Sequence, residues 1–197
     1  MIHKARIKVL AILGFVILFM IPATAANAAT PTYGHRYSLG VGNVTVWLNY
    51  ASGVGNWESY IVNAANNWMY PGWDNPIYIN FVSSNNGSMM DFHLNYSSYF
   101  QSSSIIAQTE FYNNGPTSVS PWYSNWDFTE IHINNDQYSS PSFSNDQALG
   151  TTIHEMGHSF GLDHWQTNPY SIMCQTGAGR IVQRVQQVDN DAVNILY

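Results

Sequence analysis

His154-Glu155-Met156-Gly157-His158-Ser159-Phe160-Gly161-Leu162-Asp163-His164 is the stretch from which the rest of this 197-residue chain can be read. Residues four apart on an α-helix share a face, so His154 and His158 can aim their imidazoles at one point and clamp a divalent metal. Gly161, three residues on, has no Cβ and can take the left-handed conformation that ends a helix and turns the chain. That turn would bring His164 round as a third ligand. Three neutral imidazoles leave one tetrahedral position of a Zn²⁺ ion open to water, the arrangement of a catalytic rather than a closed structural zinc. Glu155, beside the first ligand, is placed to take a proton from that water. The competing reading, an amphipathic helix whose histidines merely form a polar face, leaves the order of the five fixed positions unexplained.

H-E-x-x-H-x-x-G-x-x-H followed by a methionine turn is the signature of the metzincin metalloproteases, and Tyr170-Ser171-Ile172-Met173 follows His164 at short distance. The wording from His158 to His164 is most similar to the matrixins. So is the tail from Val188 to Tyr197, which resembles the helix that closes a matrixin catalytic domain. The likeness is strong from about Asp146 to Tyr197; upstream it is one of element order. The resemblance implies a zinc endopeptidase with His154, His158 and His164 as ligands, Glu155 as the catalytic base and Met173 as the apolar floor beneath them. Astacin-like and serralysin-like enzymes carry a tyrosine two residues after the turn methionine, where this chain has Gln175. The matrixin-like form, which lacks it, fits better. It also leaves room for a structural Ca²⁺ or second Zn²⁺, not assigned to residues. The family's structural-zinc sequence is absent, and Asn134-Asn135-Asp136 is the one oxygen-rich loop noted.

Met1 to Ala28 reads as a secretory signal peptide: Lys4, Arg6 and Lys8, an apolar run from Val9 to Ile21, then Ala26-Asn27-Ala28 as a small-x-small cleavage site. The run is short for a membrane span, which leaves an uncleaved anchor as the lesser alternative. A secreted, extracellular protein is expected, touching a membrane only in transit. Removing the signal takes three of six basic residues and no acidic ones, moving the formal charge from −6 to −9. With only Arg36, Arg180 and Arg184 left, nucleic acid and anionic lipid are poor partners. Cys174 is the single cysteine, so no intramolecular disulfide can form. It reads as a small buried residue under the metal site, against the sharper alternative of a redox-sensitive thiol.

Residues 29–197 suit one catalytic domain and a monomer, divided as an N-terminal subdomain 29–161 and a C-terminal one 162–197. Thr30 to Gly40 is a polar lead, too short for a folded prodomain and without the cysteine that blocks the zinc in latent animal matrixins. Val44, Val46 and Leu48 alternate as in a half-buried strand. From Trp57 to Met69 apolar residues recur at helical spacing until Pro71-Gly72. The tryptophans there read as core rather than as a ligand platform. Strand patterns follow at 77–82, 89–96, 105–112 and 129–134, separated by turn residues. His93 and His132 fall between apolar neighbours and are expected on a polar face of the sheet. Ser144 and Gln147 form a capping box for the histidine helix, with Leu149, Ile153, Met156 and Phe160 on its core side and Thr151, His154 and His158 on a separate stripe.

The expected fold is α+β: a mixed twisted five-stranded sheet, two long helices on one face, and a small C-terminal part closed by a helix, which is metzincin-like. The expected substrate is an extended peptide laid along a sheet edge, for which Ile105 to Tyr112 is the strand in the right place. A secreted binding or adhesin-like module, or an exported toxin, would account for the signal and for the tyrosine and tryptophan content. Neither has a need for Glu155 or an open metal position.

Overall fold

Alternation of Val44, Val46 and Leu48 with polar partners becomes β1 (Val44–Leu48), whose apolar members are buried. The computed structural model describes residues 28–113 and 115–197; the signal-peptide reading of residues 1–28 therefore lies, apart from Ala28, outside the described residues. After β1 come α1 (Glu58–Met69), β2 (Ile79–Val82), β3 (Met90–Asn95), β4 (Ala107–Tyr112), β5 (Phe128–Asn134), a one-turn α2 (Asn135–Tyr138), α3 (Asn145–Ser159) and α4 (Gln187–Leu196). The protein is α+β with one five-stranded mixed sheet in the order β2-β1-β3-β5-β4. All neighbours are parallel except β4, which runs antiparallel to β5 and forms an edge.

Period-two alternation sorts the sheet into two unlike faces. Val44, Val46, Met90, Phe92, Ile131 and Ile133 join one buried cluster with Ile61, Ala65 and Trp68 of α1 and Ile153, Met156 and Phe160 around α3. Trp68 ties the two helices by donating its indole N–H to the Ile153 carbonyl at 2.9 Å. The opposite face carries Asp91, His93, Glu110, Glu130 and His132, so the two strand histidines do lie on a polar face. There His93 stacks on His132 with ring centroids 5.3 Å apart.

The core side and the metal-facing stripe of the histidine helix stand apart as read, with Ile153, Met156 and Phe160 in the core cluster and Thr151, His154 and His158 outside it, but both are enclosed: Ala148 and every residue from Gly150 to Ser159 are buried, while Leu149 is only partly buried. The physical reason is close approach at glycine. A Cβ on Gly157 would sit 2.5 Å from Met173 Sδ and 3.1 Å from the Trp68 ring, so only glycine lets the methionine turn and α1 close on the helix there.

The short polar lead from Thr30 to Gly40 is packed onto the rest of the domain. Thr30 is buried, Thr32 bridges Leu162, and Tyr37 is buried with its hydroxyl bonded to the Met89 carbonyl at 2.9 Å. Polar side chains in this stretch are spent on tertiary hydrogen bonds, which local patterning does not reveal.

Candidate functional site

The capping box is present: Ser144 accepts from the Gln147 N–H, and Gln147 accepts from the Ser144 N–H. It starts α3 in the register that puts His154 and His158 one turn apart. At the other end the helix closes as a Schellman motif. The Leu162 N–H reaches the Gly157 carbonyl at 3.0 Å, the Gly161 N–H reaches that of His158 at 2.9 Å, and Gly161 has φ +97°. The reversal delivers His164 to the other two histidines. His158 Nε2 lies 3.1 Å from both His154 Nε2 and His164 Nε2.

The protonation pattern follows from the partners. His154 Nδ1 is 2.8 Å from the Ile172 carbonyl, and His158 Nδ1 is 2.8 Å from that of Leu162. A carbonyl oxygen only accepts, so each Nδ1 carries the proton and each Nε2 turns a bare lone pair inward. Two lone pairs at 3.1 Å repel unless a proton or cation lies between them. Burial and the neighbouring imidazoles oppose a proton: His154 is held well below the usual imidazole range and His158 is pushed down to about 3. Burial also lowers His164. The donor set fits zinc on two grounds. All three nitrogens lie within 4.8 Å of one another, and bonds of about 2.05 Å at a tetrahedral angle would set nitrogens about 3.3 Å apart.

Glu155, 6% exposed, faces the edge strand, where the Thr109 hydroxyl is 2.7 Å from its Oε2 and 3.0 Å from its backbone carbonyl. Burial pushes the carboxyl up to about 7, while the Thr109 hydrogen bond and the Arg180 charge pull it down. A carboxyl near neutrality is suited to both accepting and returning a proton. Met173 is fully buried against α3 at Gly157. Cys174 is also buried, and burial raises its thiol, so it is a packing residue.

Beside His154 and Glu155 opens a cavity of about 350 Å³, walled by residues 104–107 leading into β4, by Thr151 of α3 and by Gln175 to Gly177, with Arg180 contributing to its lining.

Behind the methionine turn, Asp189 of α4 accepts four hydrogen bonds, from Thr30 and Ser171 hydroxyls at 2.6 Å and from the Ile172 and Gln186 N–H groups at 3.0 Å. Ile172 in turn presents its carbonyl to His154. Asp189→Asn leaves a shape match but trades two acceptor positions for an amide donor and removes the charge that strengthens all four bonds. We expect a loss of about 1–3 kcal/mol, read as a fall in Tm of about 3–10 °C. An unchanged melting curve would show the network to be dispensable.

Every site residue read from the sequence, His154, Glu155, His158, His164 and Met173, meets at this one place. Sequence reasoning missed Thr109, Tyr33 and Arg180. Tyr33 sets its hydroxyl 2.9 Å from His158 Nδ1, and nothing in the local pattern marks it or Arg180. Thr109 alone had a usable signal, since it alternates onto the core face of the strand named as the substrate edge. Asn134 caps α2 by accepting from the Asp136 N–H, and Asp136 accepts from the Ser97 N–H. A second group, Glu110, Glu130 and His132, gathers on the polar face. There the Tyr112 hydroxyl lies 2.7 Å from Glu110 and 3.3 Å from Glu130, and His132, 3.4 Å from Glu130, helps hold that carboxyl below its ordinary range. No protein-family model matches this chain, and no curated protein sequence matches it.

Proposed function

We propose that this protein is a secreted zinc-dependent endopeptidase of metzincin type, closest to the matrixin catalytic domain. The observation that carries the reading is the convergence of three imidazole nitrogens, two of them fixed as inward lone pairs by backbone carbonyls, beside a buried carboxylate. His154, His158 and His164 would hold the ion. Zinc bound there would polarise the scissile carbonyl and make water a nucleophile near neutral pH.

The remaining chemistry belongs to the chain. Glu155 accepts the proton of the attacking water at its carboxylate and delivers it to the leaving amine, converting one group from base to acid within a turnover. Thr109 holds one carboxylate oxygen, leaving the other free for that exchange. β4 is an edge strand whose outer side is bridged at its Phe111–Tyr112 end by Ser118 and Val119, so an extended substrate can add to its Ala107–Glu110 part through main-chain hydrogen bonds and lie across Glu155. The Met173 side chain packs beneath α3 and excludes water from below.

The deciding experiment measures zinc content and cleavage of an unfolded protein such as casein, with and without chelator. About one zinc per chain and chelator-sensitive cleavage are expected. Protein that takes up no zinc and cleaves nothing would sink the proposal and leave the binding-module reading.

Thr109→Val tests the positioning step. It is close in volume and suits a strand, but removes the hydroxyl on the Glu155 carboxylate. A hydrogen bond to a charged group is worth about 1.5–3 kcal/mol, so a fall in kcat of roughly tenfold or more is expected, with zinc content unchanged. Equal kcat in the variant would remove Thr109 from the mechanism.

A further inference from the structure

Arg180 is 7% exposed and lies on the lining of the cavity beside Glu155. Its neighbours do not match its charge. One terminal nitrogen is 3.3 Å from the Ile172 carbonyl and 3.4 Å from that of Cys174. The other faces the Thr151 hydroxyl at 3.3 Å, the Thr176 hydroxyl at 3.1 Å and the Gln183 amide oxygen at 3.4 Å. Nε is buried with no partner. Every acceptor is neutral, and all of these contacts except that to Thr176 are 3.3 Å or longer. No carboxylate lies within 4.0 Å of the guanidinium among the described residues.

A buried cation without a counter-charge is costly, and proteins retain one where something else completes the pair. Glu155 does so only at a distance: the two groups act on each other electrostatically, but no oxygen of Glu155 lies within 4.0 Å of the guanidinium, and that carboxylate is bonded to Thr109. A wholly structural role, pinning the carbonyls of the methionine turn and the Thr151, Thr176 and Gln183 side chains, accounts for both terminal nitrogens. It does not account for a full positive charge set at the wall of an open cavity with only neutral groups in contact. That cavity begins at His154 and Glu155 and runs along the edge strand, so a peptide laid on β4 would turn one side chain into it. Its 350 Å³ has room for any side chain and several waters, at roughly 30 Å³ per water.

We infer that this cavity is a specificity pocket for an acidic side chain next to the cleaved bond, with Arg180 as its counter-charge. The inference rests on the peptidase reading and names its substrate class: extended peptides with Asp or Glu beside the scissile bond. Arg180 brings a positive charge that a carboxylate can approach by displacing the side-chain acceptors Thr176 and Gln183, and the walls, built from Ile105, Ile106 and Ala107, exclude competing water. An apolar side chain offers that charge nothing and is disfavoured there.

The test uses zinc-loaded protein of residues 29–197 and a peptide library blocked at both ends, randomised at the two positions flanking the cleaved bond. At one of them, Asp or Glu is expected to give kcat/KM about ten- to hundredfold above Leu, with Gln between. The same peptides unblocked at the carboxyl end show whether a terminal carboxylate serves instead; preference for that form alone would overturn the side-chain assignment. Equilibrium binding to the Glu155→Gln variant should rank intact Glu and Leu peptides in the same order without turnover. Arg180→Gln should abolish the preference, and its melting curve shows whether it folds. If it does not, the wild-type profile and the binding order decide alone. Cleavage that favours Leu, Met or Phe at both flanks would overturn the pocket while leaving the peptidase intact. No cleavage together with no zinc would overturn the peptidase reading, and the pocket with it.

Discussion

Glu155→Gln is expected to keep zinc and lose catalysis by about 10²–10⁴-fold, toward the upper end because one carboxylate serves as base and then as acid. The substitution preserves volume and leaves an oxygen to accept from Thr109, which sits 2.7 Å from the carboxylate. None of the three imidazoles is touched: those of His154 and His158 are anchored through Nδ1 on Ile172 and Leu162 carbonyls. Only proton transfer is removed. The measurement is kcat/KM on a quenched peptide set beside zinc stoichiometry for both proteins. A variant that cleaves at the wild-type rate with zinc bound would show that Glu155 is not the base.

The same variant has a stability signature in the metal-free protein. Burial raises the Glu155 carboxyl from 4.5 to about 7. An acid whose folded pKa lies above its unfolded value is kept protonated by folding, so the wild type loses stability as pH rises from about 4.5 to 7 and loses no more above that. A neutral glutamine has no such loss. At pH 8 the metal-free variant should therefore be the more stable by about 1–3 kcal/mol, with the gap closing by pH 4. A gap independent of pH would mean that the carboxyl is not perturbed.

The fold was legible wherever burial alternates with a single period. β1 and α1 have one apolar side each, and turn residues punctuate the strands that follow, so element order follows from pattern, while the edge position of β4 was read from its place in that order. The histidine cluster was legible because its three members are close in sequence and one glycine permits the reversal between them. What could not be read has a common cause, which is that it depends on partners far apart in the chain. Thr109 meets Glu155 across 46 residues, and Thr30 meets Asp189 across 159. The enclosure of α3 was hidden for the same reason. Nothing within the helix's own sequence shows that Met173 and Gln183 close over Gly157 and Gly150.

Gly161→Ala should damage both stability and metal binding, because two constraints meet at one Cα. Its φ of +97° lies where a Cβ is strained, and the Schellman bonds on either side hold it there. Space is also lacking: a Cβ would come within 2.8 Å of the His35 carbonyl oxygen and of Leu196 Cδ1. The leucine can shift, but the carbonyl belongs to the lead strapped along α3 by the Tyr33 N–H to Gly161 carbonyl bond. Left-handed strain of about 1–2 kcal/mol together with overpacking of about 1–3 kcal/mol gives a loss near 2–4 kcal/mol, and a fall in Tm of about 5–15 °C. Relief of that strain by local movement would displace the Leu162 carbonyl from His158 Nδ1, and His164 with the turn. Losing such a supporting contact weakens metal affinity about 10–100-fold. Gly42→Ala is the control, since a Cβ there meets nothing nearer than the Pro76 carbonyl at 4.0 Å. Melting curves and zinc competition on the three proteins separate the outcomes. A Gly161→Ala protein that melts with wild type and holds zinc as tightly would show that the reversal after α3 does not depend on glycine, and that the third histidine reaches its place by some other constraint.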